Sequence, residues 1–120
     1  MSNIGPAELD DRRSSLFVLD VRPAAEYRAG HIEGSYNAPV YADLQRDEVD
    51  SLEEHLSAIP ADADVVTVCK AGVVARRATT YLEARGFDAR TLTGGYLGWR
   101  QYDRNTLVYR ILSSLRRVTS

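Results

Sequence analysis

Residues 65–69 read Val-Val-Thr-Val-Cys, residues 70–74 read Lys-Ala-Gly-Val-Val, and residues 75–86 read Ala-Arg-Arg-Ala-Thr-Thr-Tyr-Leu-Glu-Ala-Arg-Gly. The first run is short, apolar and rich in branched side chains, the mark of a strand covered on both faces. From Val73 to Arg85 the pattern changes: Ala75, Ala78 and Leu82 fall on one helical face, the basic Arg85 stands at the end, and Gly86 supplies a stop. The same alternation recurs outward from this stretch. Leu16 to Val21 is a second central strand, Ser35 to Ala38 and Phe87 to Leu92 are weaker strands, and Ile4 adds a short edge strand. Helices are expected at Pro6 to Arg12 and Ala24 to Ala29, each with proline at its start, and at Ser51 to Ile59, where Ser51 and Glu54 form a capping-box pattern. Strands alternating with helices imply an α/β fold around a mostly parallel sheet, with sites forming beyond the carboxyl ends of the strands.

The 120 residues suit a single domain without an internal linker or repeat. Cys69 is the one cysteine, so no internal disulfide or cysteine-based zinc site can form, and a cytoplasmic location is expected. Fifteen basic against seventeen acidic residues lack the excess that a nucleic-acid binder needs. The first twenty residues carry acids and arginines instead of a signal pattern, and no apolar run is long enough to span a membrane. Neither nucleic acid nor a membrane is an expected partner.

The loop from Cys69 to Ala75 is the principal chemical candidate. A strand turning into a helix aims successive N–H groups at one point, where the helix start adds partial positive charge. A thiolate on Cys69 would be stabilised there by the amides of Ala71, Gly72, Val73, Val74 and Ala75. Gly72 permits the loop to curl, and Lys70 adds a cation. From the loop alone two readings stand: an activated nucleophile, or a small buried hydrophobe ending a strand. No Gly-Lys-Ser/Thr follows, so a nucleotide phosphate loop is excluded, and His31 and His55 do not stand at metal-ligand spacing from Cys69. No metal or cofactor is expected.

Several separated motifs together resemble a rhodanese-like domain. They are Leu19-Asp20-Val21-Arg22, Glu26-Tyr27, Gly30-His31-Ile32-Glu33-Gly34-Ser35 and Asn37-Ala38-Pro39. Cys69-Lys70-Ala71-Gly72-Val73, Leu82, Gly86-Phe87, Leu92-Thr93-Gly94-Gly95 and Trp99 complete the set. The match runs through about residues 4 to 103. The resemblance implies a three-layer fold with a five-stranded sheet flanked by helices on both faces, spanning residues 1–104. It also implies a sulfurtransferase in which Cys69 takes sulfur from a small-molecule donor (thiosulfate, persulfide or polysulfide) and passes it as a persulfide to a thiol, cyanide or a protein acceptor. A weakly active binding or regulatory module and a protein-specific sulfur carrier are the alternatives. Where many active members carry arginine and then serine or threonine, this chain has Val74 and Ala75, which disfavours dianionic thiosulfate as the preferred donor. Phosphatase activity, which needs arginine where Ala75 stands, is disfavoured too.

Asp20 and Arg22 share one side of a strand end and are expected to pair and buttress the cysteine loop. His31 is expected to hold a turn and His55 to lie at the surface. Arg76 and Arg77 are read as a solvated face, and Gly94, Gly95 and Trp99 as a tight turn and a packed aromatic beneath the final helix. Residues 105–120 form an amphipathic extension: Leu107, Val108, Ile111, Leu112 and Leu115 make a stripe, with Arg110, Arg116 and Arg117 among polar neighbours. It is expected to pack on its own domain or to serve as an interface, leaving the chain a monomer, or a dimer through this helix.

Overall fold

The computed structural model describes residues 2–119, with side chains through Arg116. Five strands, β1 (Asn3–Ile4), β2 (Leu16–Asp20), β3 (Tyr36–Asn37), β4 (Asp64–Val68) and β5 (Asp88–Leu92), form one sheet in the order β1-β5-β4-β2-β3. Every pairing is parallel. The helices are α1 (Pro6–Arg12), α2 (Ala24–Ala29), α3 (Tyr41–Gln45), α4 (Ala75–Ala84) and α5 (Gly95–Thr119).

Alternation along the central strands divides the core into two layers. Leu19 and Val65 face Leu44 of α3, Leu52, and Ala75, Ala78 and Leu82 of α4. Val18, Val66 and Val68 face Leu9 of α1 and Trp99 of α5 with Ile4 and Leu92. The expected three-layer α/β architecture is therefore present. Both ends of the β4–α4 unit are held by this packing, so the intervening loop has a fixed seat at the carboxyl edge of the sheet.

Four local expectations change. Residues 50–58 form a tight 3-10 helix in place of an α-helix, and Ser51 makes no cap: its buried Oγ lacks a hydrogen-bond partner. Helix α3 carried no strong sequence signal because it is five residues long and follows directly on Pro39 and Val40. Helix α4 begins at Ala75, two residues after Val73. Most consequential, Gly95 to Thr119 is one continuous helix of 25 residues, so position 104/105 falls inside an unbroken element and Trp99 belongs to the final helix itself. The apolar stripe of that helix does not fold back on the domain: Leu107, Ile111 and Leu112 remain more than half exposed. The side chain of Arg117, and Met1 and Ser120 entirely, lie outside the described residues. No helix is long and apolar enough to cross a membrane.

Candidate active site

Cys69 follows the last residue of β4, and its Sγ accepts the Gly72 N–H at 3.1 Å. Gly72 has φ +89°, a conformation that L side chains rarely adopt, and this turns its amide back toward the sulfur. Among the described residues it is the one loop amide that donates to Sγ. Cys69 itself is 1% exposed and lies within the apolar cluster of Leu19, Val21, Val65 and Ala75. The loop thus has a wet rim and a dry floor: Ala71 and Val73 are exposed, Val74 is half-buried, and Gly72 and Ala75 are buried.

The loop is pinned from the far side by the first turn of α5. Tyr96 N–H donates to the Cys69 carbonyl at 2.8 Å and Leu97 N–H to the Lys70 carbonyl at 3.2 Å. Unpaired amides at a helix start thereby satisfy carbonyls that leave the sheet. The approach leaves no room for a side chain: a Cβ on Gly95 would lie 2.5 Å from the Cys69 carbonyl oxygen and 2.7 Å from Ala71 N. The Gly94-Gly95 pair is thus a contact surface for the cysteine loop as well as a turn. The turn is legible in the Gly-Gly pair itself, whereas the contact is not, because backbone proximity across about 25 residues leaves no local pattern.

Beneath Tyr96 sits the buried Asp20–Arg22 pair. Arg22 Nε lies 3.0 and 3.1 Å from the two carboxylate oxygens, Nη2 donates to Oδ2 at 2.8 Å, and the Arg22 amide donates to Oδ1 at 3.0 Å. Arg22 Nη2 also donates to the Gly30 carbonyl at 2.7 Å, and its guanidinium lies 3.9 Å from the centre of the Tyr96 ring. Burying two charges is costly, and this bidentate, closely hydrogen-bonded geometry offsets that cost. The contact chain runs from Asp20 through Arg22 and Tyr96 to the Cys69 carbonyl.

Lys70 points across the loop: its Nζ is 3.2 Å from Glu26 Oε2 and 4.7 Å above the Tyr41 ring. The cation near the cysteine is therefore matched by an acid. His31 holds the turn after α2, with Nδ1 at 2.7 Å from the Tyr27 carbonyl and its ring stacked on Tyr27 at 3.8 Å. His55 is half-buried, not a surface residue, and Nδ1 lies 3.0 Å from the Tyr36 hydroxyl. Arg77 does more than solvate a face: it donates to the Leu44 and Gln45 carbonyls, closing the end of α3. Beside the cysteine loop a groove of about 400 Å³ is lined by Arg22, Glu26, Gly30, Tyr96, Leu97 and Arg100.

One supporting network had no sequence signal. Thr67 of β4, Thr79 of α4 and Thr91 of β5 are fully buried and joined by two hydroxyl contacts of 2.7 Å, and Thr67 also donates to the Ala75 carbonyl at 3.2 Å. In sequence these threonines read as ordinary branched residues. In space they tie the first turn of α4 to the sheet directly under the loop.

A family model, the rhodanese-like domain, matches residues 5–102. The chain is 38% identical over 91 residues to a tRNA uridine(34) hydroxylase of Xanthomonas axonopodis pv. citri, covering 75% of this chain and 36% of that protein. It is 33% identical over 84 residues to the adenylyltransferase and sulfurtransferase UBA4 of Eremothecium gossypii, covering 68% of this chain and 19% of that protein. The chain therefore spans about a third or less of these curated relatives. Among solved structures, a rhodanese-like domain protein from Staphylococcus aureus superposes with TM-score 0.69 at 26% identity, covering 82% of this chain and 91% of that one.

Proposed function

The chain belongs to the rhodanese-like domain family, and from that premise we propose that it transfers sulfane sulfur through a persulfide on Cys69. The observation that carries this reading is the Gly72 amide donating to Cys69 Sγ, a preorganised main-chain donor aimed at the sulfur that would react. The Cys69 thiolate attacks the outer sulfur of the donor, a new S–S bond forms, and the donor's own S–S bond breaks with its electron pair leaving on sulfite or a thiolate. An external thiolate or cyanide then attacks the outer sulfur of the persulfide and returns Cys69 as a thiolate. With one cysteine among these 120 residues, the acceptor lies outside them, on a small molecule or a protein segment.

Donor choice follows from the charges around the loop. Val74 and Ala75 supply no cation, and Lys70 is already opposed by Glu26, so a dianion such as thiosulfate gains little. A persulfide of a small thiol, entering along the groove lined by Arg22, Glu26 and Arg100, is the better donor. Cys69 is almost closed to solvent, so access requires the loop to open. A cytoplasmic location accords with the unpaired cysteine.

The same closure favours a second reading, a binding or regulatory module with little turnover. Mass spectrometry after incubation with thiosulfate or with glutathione persulfide separates the two. The sulfurtransferase gains one sulfur atom, more readily from the persulfide, and a Cys69→Ser variant does not. Absence of an adduct from both donors assigns the module. An adduct that cyanide fails to remove assigns a protein-specific carrier.

A further inference from the structure

The second half of α5 is built unlike the rest of the molecule. A helix of 25 residues is roughly 37 Å long, and the molecule measures 58 Å along its long axis against 28 and 23 Å across. The helix is anchored through its first turns, where Trp99 is buried and the Tyr102 hydroxyl donates to Asp10 at 2.9 Å, and Thr106, Leu107 and Arg110 line a cavity with Asp10 and Arg13. Beyond those turns Leu107, Val108, Ile111, Leu112 and Leu115 are 48–57% exposed. At 3.6 residues per turn these five fall within an arc of about 140°. Arg110 and Arg116 stand on either side of that arc, with Thr106 and Ser113 between them on the opposite face.

Charge is segregated along the chain. Residues 104–120 contain four arginines, Arg104, Arg110, Arg116 and Arg117, and no acid, whereas the rest holds eleven basic and seventeen acidic residues. Contrary to the expectation from the overall charge balance and the lack of a spanning run, we propose that this half-helix docks on an anionic lipid surface, lying in its plane without crossing it. An apolar arc flanked by arginines is the pattern of an interfacial helix, whose apolar face enters the acyl boundary while the guanidinium groups meet lipid phosphates. The helix is already formed as a continuation of a packed element, so docking carries no nucleation cost. The acidic body favours an arrangement in which the domain stands off the headgroups and the catalytic loop stays in water.

A second copy of this chain fits the face less well. Facing helices would oppose arginines without a single acid after Asp103. The arc is also broader than a two-helix seam needs.

Co-sedimentation of the full chain with vesicles tests the proposal. Vesicles of phosphatidylcholine containing about one-third phosphatidylglycerol are expected to bind at least about tenfold more protein than phosphatidylcholine alone, and about 0.5 M salt should abolish the difference. An Ile111→Glu/Leu112→Glu variant should lose binding with its melting temperature unchanged, since both side chains are exposed. An Arg110→Gln/Arg116→Gln variant, which keeps the apolar face intact, should lose the preference for the anionic vesicles. No binding to anionic vesicles, equal binding of the unaltered chain to both compositions, binding retained in the glutamate variant, or a preference for anionic vesicles retained in the arginine variant overturns the proposal. So does a dimer, seen by sedimentation equilibrium, whose formation excludes vesicles, because the face then belongs to a second copy.

Discussion

The Gly72 amide stands 3.1 Å from Cys69 Sγ because Gly72 occupies a left-handed conformation against the backbone of Gly94 and Gly95. A Cβ on Gly72 would meet Gly94 N at 3.0 Å and the Leu92 carbonyl oxygen at 3.1 Å, and one on Gly95 would meet three backbone atoms within 2.7 Å. Gly34 has a similar φ of +85° with open space around it. Gly34→Ala is therefore expected to cost about 1–2 kcal/mol from backbone strain alone. Gly95→Ala should cost at least about 2 kcal/mol more, since backbone must shift. Urea unfolding measures the difference; equal losses at the two positions would show that the cysteine loop has room to yield.

Removing one member of the Asp20–Arg22 pair strands its partner's charge in the core. Asp20→Ala should destabilise by about 3–5 kcal/mol. Arg22→Met, which leaves the Asp20 carboxylate and the Gly30 carbonyl without the guanidinium, should cost a similar amount. The double variant Asp20→Ala/Arg22→Met should be less destabilised than the sum of the singles. Strict additivity in a double-mutant cycle would contradict the coupling.

The Thr67–Thr79–Thr91 network predicts a contrast between near-isosteres. Thr79→Val leaves two buried hydroxyls without their shared partner and should cost about 1–3 kcal/mol. Thr79→Ser keeps the hydroxyl and should cost about 1 kcal/mol, through the lost methyl. Thermal denaturation distinguishes them, and a Val variant as stable as the Ser variant would remove the network from the account.

At the surface, Arg85 holds the Glu53 carboxyl below its ordinary range through its hydrogen bonds, and the Tyr81 hydroxyl adds to the effect. A carboxyl whose folded value is lowered contributes stability above its unfolded value of about 4.3, and that contribution fades as pH falls through the lowered folded value. The Glu53 carboxyl carbon, followed by NMR, should titrate below the other exposed glutamates. Arg85→Ala should move it upward, and an unmoved midpoint would dissociate the pair.

If the missing cation limits thiosulfate use, Val74→Arg should raise kcat/KM for thiosulfate by about tenfold or more, the worth of a charge-assisted hydrogen bond. The change for glutathione persulfide should be smaller. Equal gains for both donors would point to loop opening as the limiting step.

The strands, their parallel arrangement, the cysteine loop and the Asp20–Arg22 pair were legible in the chain itself, because each rests on a local pattern: branched apolar runs, a residue spacing along a strand, a glycine after a cysteine. Residues 50–58 and α3 were less legible, since short helical segments take their form from what they pack on. Three things were decided only by tertiary structure. Gly95 touches the Cys69 loop, three threonines from separate elements share hydroxyls, and the apolar stripe after Leu107 projects instead of folding back. The physical reason is common to all three: periodicity and turn chemistry act over a few residues, whereas a close backbone approach, a shared buried hydrogen bond and the covering of an apolar face depend on which distant surfaces meet.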